Sequence, residues 1–394
     1  MKKVNDKLWS KPFIYVCLAN FFTFFGFQII VPALPLYLDS LGTDSAYVGL
    51  VLASFSLAVL VARPLAGVFL VDRGYDKLCV ILGVIVCLLA LGGYWLAPVL
   101  VLIAAARMTH GVGFGFSSVA FGAMVARLVP SHRRAEGMGY FALSVSLGLC
   151  LGPIGGTYSM EYFNFNYPLV FCGFFLLMSI IWLVLLPKWQ PAVPPARPKI
   201  TFSLFFEKSV WLPCLLCGLF GVAYGPIVGY ITLWGKDLGI MNVGAFFLLN
   251  ASCSLVVRLF AGRVADTMGR AWILLPSGLL NGLSLLILML YPNYSGLIWS
   301  AICMGLAMGA GYPTLQAWAI DLAPEARRGA ATAFFYNCFD LGIGLSIVFW
   351  GFVASYWGYN TMYAIASSCM LLYLLIYVGH LIKGRRNSAD FKPE

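Results

Sequence analysis

The chain has 394 residues, of which 61% are hydrophobic and only 10% carry a charged side chain. So few charges are not typical of a water-soluble globular domain, so the composition indicates an integral membrane protein. A net charge of +10 would allow a nucleic-acid-binding protein, but the basic residues lie in short loops between apolar segments and form no such surface. Eleven cysteines are scattered through apolar runs, which is typical of small buried side chains rather than of a disulfide framework.

Twelve apolar segments long enough to cross a bilayer follow one another along the chain. The first follows several lysines but is too long for a signal-peptide core, so we expect a retained first span. The predicted fold is therefore an all-α membrane protein with twelve transmembrane helices. The segments lie near 12–38, 46–70, 78–97, 99–126, 138–158, 167–187, 209–233, 243–264, 271–291, 294–320, 330–355 and 361–382.

The placement of lysine and arginine predicts the orientation in the membrane. Because loops rich in these residues stay in the cytoplasm, both termini are expected there, which requires an even number of spans. Nearly all of the basic residues lie in the two terminal tails and in the loops 71–77, 127–137, 188–208, 263–270 and 321–328.

A proline-rich polar segment at 188–208 divides the chain into six spans and six spans. We therefore expect an N-terminal half at 1–187, a cytoplasmic linker at 188–208 and a C-terminal half at 209–394.

The two halves also repeat each other in sequence. RPLAG at Arg63–Gly67 recurs as RLFAG at Arg258–Gly262, 195 positions later, and LVPSHRR at Leu128–Arg134 recurs as LAPEARR at Leu322–Arg328, 194 positions later. Pseudo-symmetric six-span halves are typical of transporters, with the substrate site near the membrane midplane.

The fifth segment carries the most regular motif of the chain, MGYFALSVSLGLCLGPIGG. Gly148, Gly152 and Gly156 are four residues apart, so they form one bare stripe on a helix, and Pro153 lies beside it. A bare stripe lets a neighbouring helix come close, and the proline favours a kink. The motif predicts a hinge or a sliding contact between two helices; static packing is the simpler alternative.

With these motifs the chain resembles the major facilitator superfamily over nearly all of its length, in particular the twelve-span drug:proton antiporters of multidrug efflux. The stretch from Gly139 to Gly156 is similar to the antiporter signature of the fifth span, which occurs in exporters. The loop from Gly262 to Arg270 is similar to the cytoplasmic loop signature, and the resemblance implies that Asp266 and Arg270 gate the conformational change.

The first-half copy of this loop departs from the family pattern. It has one residue too many between Gly67 and Asp72, and Tyr75 and Asp76 stand where glycine and arginine are usual. The resemblance still implies a gating role for Asp72 and Arg73; a solvated charged turn is the alternative.

Three residues are candidates for proton coupling. Arg107 in the fourth span matches an arginine that the family links to proton transfer, and His110, one turn later, stands where glutamine is more usual. Asp340 lies ten residues into the eleventh span, whereas nearly all other acids lie in loops or at span ends. An acid inside a membrane is a functional candidate, although Asp340 could instead be a structural aspartate bonded to helix ends or to Asn337, and His110 a packing residue.

Polar and aromatic residues of several spans are candidates for a substrate cavity. Asn20, Phe24 and Gln28 share one face of the first span, which has no acid. This absence argues against a strongly cationic substrate, and an aromatic cavity suits lipophilic or amphipathic compounds. The other candidates are Tyr224, Tyr230, Tyr312, Tyr336 and Asn337.

The sequence therefore predicts a proton-coupled secondary transporter that exports a small organic, drug-like compound by alternating access. A dedicated metabolite, siderophore or lipid exporter, or an importer of the same fold, is the alternative. We expect no enzymatic activity, no cofactor, no metal and no nucleic-acid partner. The expected partners are the substrate, protons and the lipid bilayer, and the expected form is a monomer in a bacterial plasma membrane.

Overall fold

The structure is a computed structural model that describes residues 8–71, 73–96, 99–130, 133–186, 208–324 and 328–389. Within these ranges the chain is helical and no strand is assigned. A π-helical turn, Gly67–Val71, follows α2, and a 3₁₀ turn, Lys208–Val210, precedes α7. The helices are α1 (Lys11–Ser40), α2 (Ser45–Ala66), α3 (Asp76–Leu96), α4 (Leu100–Leu128), α5 (Arg134–Tyr162), α6 (Asn166–Leu185), α7 (Trp211–Asp237), α8 (Gly244–Met268), α9 (Ala271–Leu290), α10 (Tyr294–Leu322) and α11 (Arg328–Ala389).

Short polar side chains begin several of these helices. The side chains of Ser10, Asp44 and Asn293 accept hydrogen bonds from backbone N–H groups of the first turns of α1, α2 and α10. A glycine follows the end of two helices: Gly42 after α1 and Gly239 after α7 have φ of 73° and 65°. Glycine adopts this left-handed backbone conformation without a steric cost, so these two glycines determine where α1 and α7 end.

Eleven helices of the described part are long and apolar enough to cross a membrane, and α11 is much longer than the others. Gly358, with φ 79° and ψ 167°, breaks α11 into arms at 328–357 and 359–389. Tyr312 of α10 packs on Phe339 of the first arm, and Trp318, nearer the end of α10, packs on Tyr377 of the second. Both arms therefore contact α10, and with each arm counted as one span the total is the twelve that were predicted.

The described helices form two compact units. The first comprises Met1–Phe202 with Met241–Leu248, and the second comprises Ser203–Ile240 with Leu249–Glu394. In the first unit, α1 packs between α5 and α6, and α4 packs against α2 and α3. In the second, α11 packs against α7 and α9. The predicted linker 188–208 lies almost wholly outside the described residues, so the predicted domain limits stay a prediction.

Candidate functional site

The glycine stripe of α5 lies directly on the backbone of α1. A Cβ atom added to Gly148 would lie 2.9 Å from the Cβ of Phe24, and one added to Gly156 would lie 2.1 Å from the backbone oxygen of Ile29. One added to Gly152 would lie 2.8 Å from another backbone oxygen of α1. No side chain fits at these separations, so the stripe is a contact surface for α1. Its role as a hinge stays a prediction.

The polar face of α1 is tied to neighbouring helices of the same unit. The Asn20 amide donates to the Ser144 hydroxyl of α5 at 2.8 Å, and the Thr23 hydroxyl donates to Ser179 of α6 at 2.8 Å. Gln28 is also buried, although to a lesser degree than Asn20. Asn20, predicted to line a cavity, therefore makes a buried polar contact within the bundle.

Two of the predicted proton-coupling residues lie together among phenylalanine rings. The guanidinium carbon of Arg107 is 4.5 Å from the ring centre of Phe55 and 5.7 Å from that of Phe27. The His110 ring meets the same two rings edge-on, at 5.6 Å from Phe27 and 6.1 Å from Phe55. Phe114 stacks on Phe27 at 4.4 Å and closes the group. We call Phe27, Phe55 and Phe114 the phenylalanine cage.

Several polar atoms inside this cage lack hydrogen-bond partners. Arg107 is 4% exposed and His110 is fully buried. Among the described residues, the Nε and Nη1 atoms of Arg107 and both ring nitrogens of His110 have no hydrogen-bond partner, whereas the hydroxyl of Tyr94 bonds to Arg107. The ring centres of Tyr94 and His110 are 6.2 Å apart. Since buried polar groups are nearly always paired in folded proteins, this group differs from ordinary packing.

The second unit holds a separate aromatic cluster. The Tyr312 ring packs on Phe335 and Phe339 at 5.2 Å and 4.8 Å, and Tyr224 stacks near Phe339 at 6.4 Å. Predicted cavity residues of α7 and α10 therefore meet on the first arm of α11.

Asp340 follows this cluster in the chain. It is half-buried in the middle of the first arm, as is Asn337. One turn before Asp340 lies Tyr336, whose hydroxyl accepts a hydrogen bond from the Gln316 side chain at 2.8 Å. Tyr230 has a different environment, because it is fully buried and its hydroxyl donates to the backbone oxygen of Ile347 at 2.8 Å. It therefore ties α7 to α11.

Ion pairs join the helix ends near both predicted gating loops. In the second unit, Arg270 pairs with Asp321 of α10. In the first unit, Asp76 at the start of α3 pairs with Arg127 of α4, which also donates to the backbone oxygen of Val71 at 2.9 Å. The partners are 51 residues apart in both units, but the charges are exchanged.

The remaining gating candidates are less defined by contacts. Asp72 lies outside the described residues. Arg73 lies over the Phe69 ring at 5.8 Å, and Asp266 is exposed. Gly74 and Gly269 both have positive φ, of 80° and 95°, although at the offset of 194 Gly74 lies one position before the residue that corresponds to Gly269.

The ion pair of Asp76 and Arg127 is a feature that the sequence interpretation missed. Within the first half alone, Asp76 is only a departure from the family's loop pattern. A comparison of the halves at an offset of 194 places Asp76 with Arg270 and Arg127 with Asp321, which is a signal for an exchanged pair. The phenylalanine cage had no such signal, because its rings come from three helices.

A bundle of apolar helices with paired half-chain repeats and buried polar groups defines a polytopic membrane transporter. The Major Facilitator Superfamily model matches residues 16–257 and 240–394, and the chain belongs to this family.

Several bacterial proteins are similar to the chain, among them two that match nearly its whole length. The staphylopine export protein of Staphylococcus aureus is 23% identical, with 94% of this chain and 96% of that protein covered. The multi-drug resistance efflux pump PmrA of Streptococcus pneumoniae is 24% identical, with 97% and 99% covered. The quinolone resistance protein NorA of Staphylococcus aureus is 27% identical over 59% of this chain and 62% of its own.

Solved structures show the same fold. A POT family transporter in complex with a thioalcohol conjugated peptide has a TM-score of 0.80 and is 14% identical, with 94% of this chain and 96% of that chain covered. The nucleoside transporter NupG, as its D323A mutant, has a TM-score of 0.74 and is 15% identical, with 93% and 99% covered.

Proposed function

We propose that the protein exports small, lipophilic organic compounds across a bacterial plasma membrane in exchange for protons. The observation that carries the proposal is Asp340, a carboxyl group in mid-helix beside an aromatic cluster of the second unit. An acid inside a membrane-spanning helix is a functional candidate, so this position suits a group that couples transport to protons.

The proton supplies a sufficient driving force for such an exchange. One elementary charge that crosses a membrane potential of 100 mV contributes about 2.3 kcal/mol. At 1.4 kcal/mol for each factor of ten, this supports a gradient of roughly forty-fold for each charge moved.

Export, rather than import, is supported by α5 and by the relatives. The stripe Gly148, Gly152 and Gly156 is the part of the exporter-type motif that contacts α1. PmrA and NorA are named for drug efflux and quinolone resistance, and PmrA is matched over nearly its whole length. The aromatic cluster of the second unit and the absence of an acid within residues 12–38 of α1 favour lipophilic substrates that carry no strong positive charge.

In this proposal the two polar sites have different roles. Asp340 carries the proton, and Arg107 and His110 form a second polar site within the first unit. The Arg107 cation beside His110 opposes a second positive charge in a medium of low dielectric. We therefore expect His110→Gln to retain proton coupling; loss of coupling in this variant would make His110 a proton carrier.

The loops near the predicted cytoplasmic ends would gate the transport cycle. We propose that Asp72, Arg73, Asp266 and Arg270 act there, while the ion pairs keep each set of helix ends together as the halves rock. Close contacts of the glycine stripe with Phe24 and Ile29 would guide the movement of α5 along α1.

Inside-out vesicles provide the test. Nile red, 1-naphthoate and ethidium are added separately, and collapse of an imposed pH gradient is measured. We expect a response to at least one of the first two compounds and a weaker one to ethidium. Asp340→Asn should abolish the response while the protein still inserts. Glu161→Gln, at the exposed end of α5, is the matched control. An unchanged response in Asp340→Asn would remove Asp340 from the mechanism.

A dedicated metabolite exporter is the second candidate. It is favoured by the staphylopine export protein, which is matched over 96% of its length. If the protein is a metabolite exporter, none of the three compounds will collapse the pH gradient. A concentrated extract of small bacterial metabolites will collapse it, and Asp340→Asn will abolish this response.

A further inference from the structure

The polar atoms beside the phenylalanine cage include more hydrogen-bond donors than acceptors. Arg107 offers N–H groups at Nε and Nη1 without a hydrogen-bond partner among the described residues, and the Tyr94 hydroxyl, whose oxygen accepts from Arg107, still offers its O–H group. The Tyr94 hydroxyl and His110 both lie close enough to Arg107 to interact with it electrostatically. These donors belong to one cluster, whose single unpaired acceptor is one ring nitrogen of a neutral His110, so the cluster has too few acceptors.

The missing group must also balance a charge. The carboxylates of the first unit whose side chains the structure describes all lie at or beside helix ends: Asp39 near the end of α1, Asp44 before α2, Asp76 at the start of α3 and Glu161 near the end of α5. Arg107 lies seven residues inside α4, about 10 Å along the helix from its first residue. The guanidinium therefore has no carboxylate at its own depth among the described residues of this unit.

The surrounding rings compensate this charge only in part. Phe55 and Phe27 present aromatic ring centres within 6 Å of the guanidinium carbon, which attracts a cation weakly. Ring faces accept no strong hydrogen bonds, so the two unpaired guanidinium nitrogens stay unsatisfied. Water would satisfy the nitrogens but leave the charge unbalanced. An anion satisfies both requirements, and a carboxylate matches the geometry of a guanidinium.

We propose that Arg107, Tyr94 and His110 form a binding site for the carboxylate of a lipophilic aromatic acid, which is a substrate of this protein. The carboxylate accepts hydrogen bonds from Arg107 and Tyr94, a neutral His110 donates a further one, and the phenylalanine cage packs on the aromatic part. The inference rests on the proposed export function and narrows its substrate class to organic anions.

Binding to the purified full-length protein tests the inference without any need for transport. The midpoint of thermal unfolding is measured with 1-naphthoate and with 1-naphthamide, which has nearly the same shape and no charge. We expect the acid to bind at least ten-fold more tightly than the amide. Equal binding of both compounds would overturn the proposal, even if the protein transports neutral dyes.

Variants then locate the site. Arg107→Gln should remove the preference for the acid, Arg107→Lys should retain part of it, and Tyr94→Phe, which removes only the hydroxyl, should weaken acid binding three- to ten-fold. Arg63→Gln is the control, because Arg63 also lies near the cage, at 6.0 Å from the Phe114 ring centre, but is only half-buried and bonds to Ser118. Full preference for the acid in both Arg107→Gln and Tyr94→Phe would overturn the assignment.

An inorganic anion is the other source of the same chemistry. The unfolding midpoint is therefore also compared in chloride and in gluconate buffers. Arg107-dependent stabilisation by chloride, with none by 1-naphthoate, would show an inorganic anion site and contradict the proposed substrate class. Failure of the pH-gradient assay with intact 1-naphthoate binding would instead contradict the export function.

Discussion

Equivalent helices contact each other in the two halves of the chain, but the small and large residues at the contact are exchanged between the two helices. In the first half, α5 brings Gly148, Gly152 and Gly156 to α1. The residues 194 positions later on α11 are Gly342, Ser346 and Trp350, which are mostly larger. The bare surface there is supplied by α7, whose Gly225 would place a Cβ atom 2.2 Å from the Ser346 hydroxyl.

The ion pairs show the same exchange. The acid begins α3 and the base lies on α4 in the first half, whereas the base precedes α9 and the acid lies on α10 in the second half. What the repeat conserves is therefore the contact and not the residue at each position. The environments differ: the carboxylate is fully buried at Asp76 and 61% exposed at Asp321.

This difference in burial predicts the largest effect. Asp76→Ala removes a fully buried carboxylate from Arg127, whose side chain is 32% exposed, and should cost about 1.5–3 kcal/mol of stability, the range for a hydrogen bond to a charged group. Asp321→Ala, the matched change in the second half, should cost at most about 1 kcal/mol, because exposed pairs contribute little. The measurement is thermal stability of the detergent-solubilised protein, and equal losses would contradict the contrast between the halves.

A double change tests whether the exchange of charges is itself tolerated. Asp76→Arg and Arg127→Asp should each be strongly destabilising, and the two together should recover much of the loss, because the pair re-forms with the polarity of the second half. Simple addition of the two losses would show that Asp76 and Arg127 act independently.

The glycine stripe predicts an effect of intermediate size. Gly156→Ala places a methyl group against the backbone of α1 and should cost about 1–3 kcal/mol through overpacking. The adjacent Gly155→Ala is the control, since its Cβ would lie at an ordinary 3.7 Å from Ile29. If both variants have the same stability and transport rate, α5 does not depend on close approach to α1.

The smallest effect is expected at Trp350, which stands where the first half has Gly156. The indole Nε1 donates to the backbone oxygen of Val222 at 3.0 Å. Trp350→Phe retains most of the packing and loses this hydrogen bond, so about 0.5–1.5 kcal/mol should be lost. A loss as large as that of Asp76→Ala would mean that ring size, not the hydrogen bond, decides the contact.

Local patterns in the sequence predict the spans and the glycine stripe, but not the pairings. Hydropathy and the spacing of Gly148, Gly152 and Gly156 depend only on residues within one helix, so the spans and the stripe can be predicted from the sequence. The partner of Asp76 is 51 residues away. Asp76 also stands where the family's loop signature has an arginine, so the signature does not identify it as a member of an ion pair.

The cage around Arg107 depends on how three helices rotate about their axes. Phe27, Phe55 and Phe114 are ordinary apolar residues of α1, α2 and α4, and periodicity is weak in helices that are apolar all round. Asp340, by contrast, was recognisable because a single acid stands out in an apolar segment.

The most direct test of proton-driven export is the direction of transport in inside-out vesicles. The compound that collapses the pH gradient most strongly is supplied outside, and its concentration in the lumen is followed with the lumen either acidic or alkaline. An acidic lumen should drive accumulation above the outside concentration, and Asp340→Asn should reduce accumulation at least ten-fold. Accumulation that is equal for both gradients, or that requires an alkaline lumen, would contradict proton-driven export.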